Sequence, residues 1–565
     1  MEMNNSDNKT FSRRSWMGSV AKASLAAGLC AASPGAFGAV AAQQNEKRSN
    51  KGTGTYNICD FGAKGDGITT DTKAIQGAID TCNANQGGIV LVPAGVFVTG
   101  TIELKSNVTL HIAAQGKLLG SADGKQYRAA DAIPLDAGWT MNDGNVGLIF
   151  AANAENITIE GKGTIDGQGA QFRSPKGILP PAGITGNHRP HHVLFYKCTN
   201  LTINDITLIN CAYHSVRVCF CKYVKISGLH IHSKVTHNND GFHFIASEYV
   251  HVSNCDVECQ DDACALFGSC KFVTVSDCSF STRWSVFRFG GGEAENITVS
   301  NCIIYEAYGC PVKMRCSPGS RFENISFSNL VMKEVTGPIS IGLGPENHPN
   351  DKTENMQRAP GIVRNISFNN IQATVVKPVQ LRGAEFTSIY NPGEIFSCIV
   401  LNALDEAYLE NISFNNVHVS FPGGGTAEQA AVRNVPKIIG EYYQMGIPPA
   451  YGMYARNVRG LTMHNMRFEM QTPDLRPALV FDNVSDVSVL GLSAQGNNAT
   501  ELLRFTNVQD TLLSATRILT PAATFLNVEG TGNENITIDG GDLRKTTKLL
   551  KFENAGEDKS IKLRL

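Results

Sequence analysis

Past residue 42 the sequence contains no uninterrupted apolar run of about 18 residues, the length a membrane-spanning helix requires, and no membrane span is expected. Nor is either charge in excess: 49 Lys and Arg stand against 51 Asp and Glu, for a formal charge of −2. Without a basic face there is no electrostatic footprint for nucleic acid, and an acidic sugar polymer would have to be met by a local cluster of Arg and Lys. The composition also lacks the bias of disordered or collagen-like chains. With 42% hydrophobic and 18% charged residues, the 565 residues can bury a large core.

The first residues differ from the rest. Ser12-Arg13-Arg14-Ser15-Trp16-Met17 leads into an apolar, Ala-rich run from Val20 to Ala32 and then Ala39-Val40-Ala41. That order is a twin-arginine export signal, and it places the mature protein in the periplasm or outside the cell. Residues 1–42 are read as the signal, 43–55 as a polar, flexible leader and 56–565 as a single domain. Removing the signal takes away four basic and two acidic side chains, which moves the formal charge from −2 to −4. Fifteen cysteines remain, several in one phrase (Asn210-Cys211, Asn254-Cys255, Asp277-Cys278, Asn301-Cys302). Small side chains buried in a register stack explain them better than disulfides or metal ligation, although an exported protein is free to form disulfides.

A short β-rich phrase recurs, as in Asn200-Leu-Thr-Ile, Tyr223-Val-Lys-Ile, Tyr249-Val-His-Val, Phe272-Val-Thr-Val, Asn296-Ile-Thr-Val and Asn324-Ile-Ser-Phe. Successive starts are about two dozen residues apart, one coil of three short strands, and the spacing widens after Asn324 where loops are inserted. Within each phrase β-branched residues alternate with polar ones, so one side enters a core that only stacking can complete. The segments lack helix-length amphipathic runs, which excludes helical repeats. The expected fold is all-β, a right-handed parallel β-helix. Thr70-Asp71-Thr72 introduces a helix with Ala74, Ile75, Ala78, Ile79 and Cys82 on one face; Asp71 or Thr70 is its expected cap, and the helix is expected to plug the N-terminal end of the solenoid. Insertions around 342–364 and 422–453 are expected to be groove walls.

Two carboxylate clusters stand out from the Asn and Ser of the turns: Asn238-Asn239-Asp240-Gly241 and, one coil later, Gln260-Asp261-Asp262-Ala263. Each alone would be a turn cap. Together on neighbouring coils they would repel, raising at least one pKa toward the range of a general acid. One acid to protonate a glycosidic oxygen and another carboxylate to activate water is the chemistry of inverting glycoside hydrolysis.

At these residues the chain resembles glycoside hydrolase family 28, the polygalacturonase and rhamnogalacturonan hydrolase family. The matching stretches include Asp60 to Gly67, Leu104 to Val108, Gly163 to Gly169 and Arg189-Pro190; the Asn-Thr-Asp-Gly motif appears as Asn238 to Gly241, and Gly-Asp-Asp as Gln260-Asp261-Asp262. The resemblance implies that Asp261 or Asp262 is the general acid and that the remaining aspartates position and activate water. It also exposes two departures. The family's Gly-His-Gly falls at Arg283-Trp284-Ser285, so a supporting histidine is missing, and its Arg-Ile-Lys falls at Pro311-Val312-Lys313, where only Lys313 is kept. Lys does not replace the bidentate grip of Arg on a carboxylate. Arg288 and Arg315 are candidates to fill the gap, Trp284 is a candidate to stack on a sugar, and His237, ahead of His214 and His243, is the preferred substitute histidine beside Asn238.

The functional expectation is an exported hydrolase of a pectin-like or other acidic polysaccharide, using water and neither cofactor nor metal. Two alternatives share the fold. A polysaccharide lyase would use the aspartates as calcium ligands and leave an unsaturated, ultraviolet-absorbing product; a carbohydrate-binding β-helix would have lost catalysis.

Overall fold

Each repeated phrase becomes a strand because its β-branched residues alternate inward and outward, and each begins with Asn or a similar residue in the left-handed region. Asn296, Asn324, Asn365 and Asn411 have φ of 59°, 57°, 58° and 51°, a conformation that Asn tolerates better than other residues bearing a Cβ. Their amides then bond from coil to coil: Asn324 Nδ2 donates to Asn296 Oδ1 at 3.2 Å, Asn365 to Asn324 at 3.0 Å and Asn411 to Asn365 at 2.8 Å. The Asn that follows the strand bonds in the same way, Asn329 Nδ2 donating to Asn301 Oδ1 at 3.0 Å.

The computed structural model describes residues 52–130, 133, 144–172, 189–345, 359–385, 390–404, 406–439, 442–554 and 558–564. The stretch read as an export signal, and most of the stretch read as a leader, lie outside the described residues. Strand β1 (Gly54–Asn57) begins two residues inside the stretch expected to be leader, because Gly54 and Thr55 pair in parallel with Gly88 and Ile89 of β2 (Gly88–Val92). Between them lies helix α1 (Thr72–Ala84), whose Ala74, Ile75, Ala78, Ile79 and Cys82 are buried as expected and pack on β1 and β2. Asp71 occupies the N-cap position, but its side chain does not cap the helix. It accepts instead from the backbone N–H groups of Lys64 and Gly65, at 2.7 and 3.1 Å, tying down the preceding loop.

From there the chain winds as a right-handed parallel β-helix. One sheet of the coil matters most for function. Its strands include β3 (Val216–Cys219), β4 (Phe242–Ile245), β5 (Cys264–Phe267), β6 (Phe287–Gly290), β7 (Val312–Cys316), β8 (Ile339–Leu343) and β9 (Ile399–Ala403). Further along run β10 (Met453–Met470), β11 (Leu479–Leu490), β12 (Glu501–Thr520) and β13 (Ala522–Glu529). The register is continuous, so outward positions form straight columns. Arg217, His243, Ala265, Arg288, Lys313 and Ser340 make one such column. Inside, like side chains stack: the rings of Phe327, Phe368 and Phe414 lie 5.1 and 5.0 Å apart. Cysteines stack in the same way, the backbone N of Cys255 lying 3.4 Å from Cys278 Sγ and that of Cys198 lying 3.3 Å from Cys221 Sγ. None of the fifteen described cysteines is in a disulfide.

Candidate active site

The two carboxylate clusters sit in the turns that lead into β4 and β5. Gly241 N donates to Asp262 O at 3.0 Å, which places Asp240 and Asp262 side by side on adjacent coils. A Cβ on Gly241 would come within 2.5 Å of the Ala263 carbonyl oxygen, so this close approach needs glycine. Asn239 is fully buried and holds the first turn with four bonds: its amide donates to Cys211 O and Tyr213 O at 2.8 and 2.9 Å, and its oxygen accepts from Val235 N and Thr236 N at 3.1 and 2.9 Å. Asn239 is therefore a clamp.

The neighbouring Asn238 is exposed at φ 56°. Its amide donates to Asp261 Oδ2 at 3.4 Å, and its oxygen accepts from Arg189 Nη2 at 3.3 Å. Asp261 also accepts from Asp262 N at 2.9 Å, and Asp262 Oδ1 accepts from Ser285 N at 3.3 Å. Of the three aspartates Asp240 and Asp262 are buried, whereas Asp261 keeps part of its surface open. Loss of hydration, then the charges of Asp240 and Asp262, push the Asp261 carboxyl well above the usual carboxylate range; the nearby Lys313 offsets this only in part.

On the other side of Asp240 stand two histidines. His243 Nδ1 lies 2.7 Å from Asp240 Oδ2 and His214 Nε2 lies 3.7 Å from Asp240 Oδ1. Arg217 Nη1 donates to His214 Nδ1 at 2.9 Å. A guanidinium has no acceptor, so the proton of a neutral His214 belongs on Nε2, toward Asp240. Burial, followed by the charges of His243 and Arg217, holds His214 well below its ordinary pKa and keeps it neutral. The rings continue as a column: Tyr213 on His214 at 4.3 Å, His214 on His243 at 4.4 Å and His243 on Phe267 at 5.2 Å.

Of the three histidines considered as substitutes, His243 and His214 are the ones that lie beside Asp240. The His237 side chain is exposed, and its carbonyl accepts from Arg189 Nη1 at 2.9 Å. Parity was the available signal: Phe242 and Phe244 face the core, so His243 must face outward beside Asp240. Arg217, between the core residues Val216 and Val218, follows the same rule.

The basic candidates separate. Lys313 is fully buried, with its Nζ 4.4 Å from the centre of the half-buried Trp284 ring, and it acts on Asp261. Arg288 is half-buried on the neighbouring strand, directly paired with Lys313, and lies over Phe267 at 5.5 Å. Arg315 is turned away from the aspartates: its Nη1 donates to Met314 O, Ser340 O and Ser340 Oγ. The other ring beside Trp284 is reached through Arg283, whose guanidinium lies 4.0 Å from the centre of Tyr390 and 5.1 Å from that of Trp284.

His214, Asp240 and His243 offer donor atoms within 4.8 Å of one another, the spacing a metal ion needs. The hydrogen bond from Arg217 to His214 argues against that use, because it puts a fixed positive charge where a metal-bound histidine needs an acceptor. The three groups fit a hydrogen-bonded relay that orients Asp240. Among the described residues no helix is long and apolar enough to cross a membrane.

The family model for glycosyl hydrolases family 28 matches residues 82–387, just over half of the chain, and includes every aspartate of this site. Polygalacturonase-2 of Solanum lycopersicum is 25% identical over 390 residues, covering 66% of this chain and 82% of its own. The exo-poly-alpha-D-galacturonosidase of Dickeya chrysanthemi is 26% identical over 446 residues, covering 67% and 73%. Among solved structures, the family 28 exopolygalacturonase of Yersinia enterocolitica aligns at a TM-score of 0.55 and 20% identity over 77% of this chain and 78% of its own, in agreement on the fold. The chain belongs to glycosyl hydrolases family 28.

Proposed function

We propose that the protein is an exported hydrolase that cleaves glycosidic bonds in a pectin-like or other acidic polysaccharide with inversion at the anomeric carbon. The observation that carries this reading is the set of three aspartates on adjacent coils, one of them partly open and held toward its protonated form. Asp261 is the general acid: its proton passes to the glycosidic oxygen as the bond from that oxygen to the anomeric carbon breaks. Water attacks the opposite face of the sugar and gives its proton to Asp240 or Asp262. His243 orients Asp240, replacing the histidine missing at Trp284. The named activities of the tomato and Dickeya relatives support an acidic sugar. Arg288, half-buried, is the cation to meet its carboxylate, with Lys313 buried against Trp284, and Asn238, His237 and Trp284 are the further candidates to contact the sugar.

The test is to incubate the signal-free protein, beside Asp261→Asn/Asp262→Asn, with pectic, rhamnogalacturonan and algal glycans. New reducing ends without ultraviolet absorbance, abolished in the variant, are expected. Absorbance would mean a lyase, and silence across the panel would turn the reading toward carbohydrate binding.

A further inference from the structure

One coil beyond Asp261 and Asp262, the turn Thr282-Arg283-Trp284-Ser285 is bonded to both aspartates. Thr282 Oγ1 donates to the Asp261 carbonyl oxygen, and Ser285 N donates to Asp262 Oδ1 at 3.3 Å. The Trp284 backbone is fixed on both sides: its N–H donates to Thr282 Oγ1 at 3.1 Å, and its carbonyl accepts from Gly309 N at 3.0 Å. A Cβ on Gly309 would stand 2.7 Å from Trp284 Cα, so the next coil closes tightly on this residue.

Two cations share the half-buried Trp284 ring. Lys313 Nζ lies 4.4 Å from its centre and the Arg283 guanidinium carbon 5.1 Å. Buried cations repel each other, and each needs its own counter-charge. For Lys313 the nearby carboxyl group is that of Asp261. Arg283 is held by the insertion between the strand Ile362–Val375 and β9. Its guanidinium lies 4.0 Å from the centre of the Tyr390 ring and 3.7 Å from Glu394 Oε1, and its Nη1 donates to Tyr308 O at 3.4 Å. Tyr308 meets Tyr390 edge to face at 5.9 Å, and Glu394 closes a capping box with Asn391. The same insertion reaches the turn of Asp240, where Glu385 N donates to Lys234 O at 3.1 Å.

We infer that Arg283 is a positioning residue for the general acid: pinned by Tyr390 and Glu394, it holds the Trp284 ring, and the ring holds the Lys313 ammonium beside Asp261. The inference rests on the hydrolase reading, in which Asp261 is that acid. Arg283 acts without meeting the sugar, since only 5% of it is exposed. A guanidinium suits the place because its flat face packs on rings while its edge bonds a carboxylate and a carbonyl. Asp261 is faced by Asp240 and Asp262, which repel its charge, by Lys313, which attracts it, and by the Cys259 thiol, which donates to its carbonyl oxygen at 3.2 Å. Lys313 is thus the cation that opposes the two aspartates, and Arg283 does for Asp261 what His243 does for Asp240.

The experiment compares Arg283→Met and Tyr390→Leu with the wild-type protein, across pH, on the glycan that the panel identifies as substrate. Losing the guanidinium frees the Trp284 ring and loosens Lys313, so in Arg283→Met kcat should fall about tenfold with KM little changed. The basic limb of the pH profile, where the acid loses its proton, should move upward because less positive charge favours the ionised Asp261. Tyr390→Leu should move the same limb the same way, by less. A second readout needs no substrate: the gain in melting temperature from Asp261→Asn at about pH 8 should be larger in the Arg283→Met background than in the wild type. Simple loss of folding lowers the melting temperature and the active fraction but leaves the limb and that difference where they were. A rise in KM with kcat and the limb unchanged overturns the inference, since the turn would then serve sugar binding, and so does an equal Asp261→Asn gain in the two backgrounds. Inactivity of the wild-type protein on every glycan defeats the hydrolase reading, and the melting comparison still decides whether Arg283 acts on Asp261.

Discussion

Asp261 is under a tension that can be measured without substrate. Its folded-state pKa is raised, chiefly by burial and then by Asp240 and Asp262. The stability tied to its protonated form is therefore fully present below the unfolded carboxylate pKa and is lost as pH rises through the folded value. Asp261→Asn abolishes activity but removes this loss. Its melting temperature should exceed that of the wild type at about pH 8, with the gain shrinking toward about pH 4. A difference that stays constant with pH in calorimetry would mean that Asp261 ionises freely. His243→Ala takes away the side chain that holds Asp240 in place. The expected result is a fall in kcat of about 100-fold and little change in KM. If KM alone rose, His243 would be a substrate contact and not a support for Asp240.

At the scale of strands and turns, the repeated Asn is the device to test. Asn365 sits in the middle of a ladder, donating to Asn324, accepting from Asn411 and holding φ at 58°. Asn365→Ala loses both bonds and keeps the unfavourable backbone, for a cost of about 2–4 kcal/mol. Asn365→Gly loses the same bonds without the strain and should recover about 1 kcal/mol of that; equal denaturation midpoints for the two would show that the backbone conformation carries no cost. This element was legible in the sequence because the phrase that begins each strand is local. So was the apolar face of α1, since five residues of one helix stripe fall on one side whatever they pack against. The Asp71 side chain was not legible: its partners, Lys64 N and Gly65 N, belong to a loop whose path depends on where the first coil closes. The insertions could be read as walls from their length and composition. That one of them runs back across β13 to β8 depends on Arg433 and on buried Arg456 and Arg504, and no spacing marks those residues as anchors. The aspartates were readable because two clusters one coil apart must meet; His243 needed the parity of its phenylalanine neighbours to be followed outward.

The whole molecule combines a proposed oxidising destination with fifteen described cysteines that form no disulfide, and these are compatible for a physical reason. The coil brings cysteines into register along its length, yet each is one side chain in a packed column, and all of the described cysteines but Cys59 are buried. Burial pushes the thiols of Cys211, Cys270, Cys316 and Cys398 up to about 12, so at these four the thiolate that would attack an oxidant is scarcely present at neutral pH. Stacking gives these side chains the role of small apolar residues. Residues 1–42, the proposed export signal, contain Cys30, so the chain without them should titrate as fifteen thiols in denaturant without any reductant. In the folded state one thiol, Cys59, should react quickly with a thiol reagent and the others only at the rate of unfolding. A total that falls by two for each bridge in the absence of reductant, and returns with it, would replace the stacked thiols by disulfides. The same result would move part of the stability of the coils from packing to covalent bridges, with melting temperature then falling on reduction.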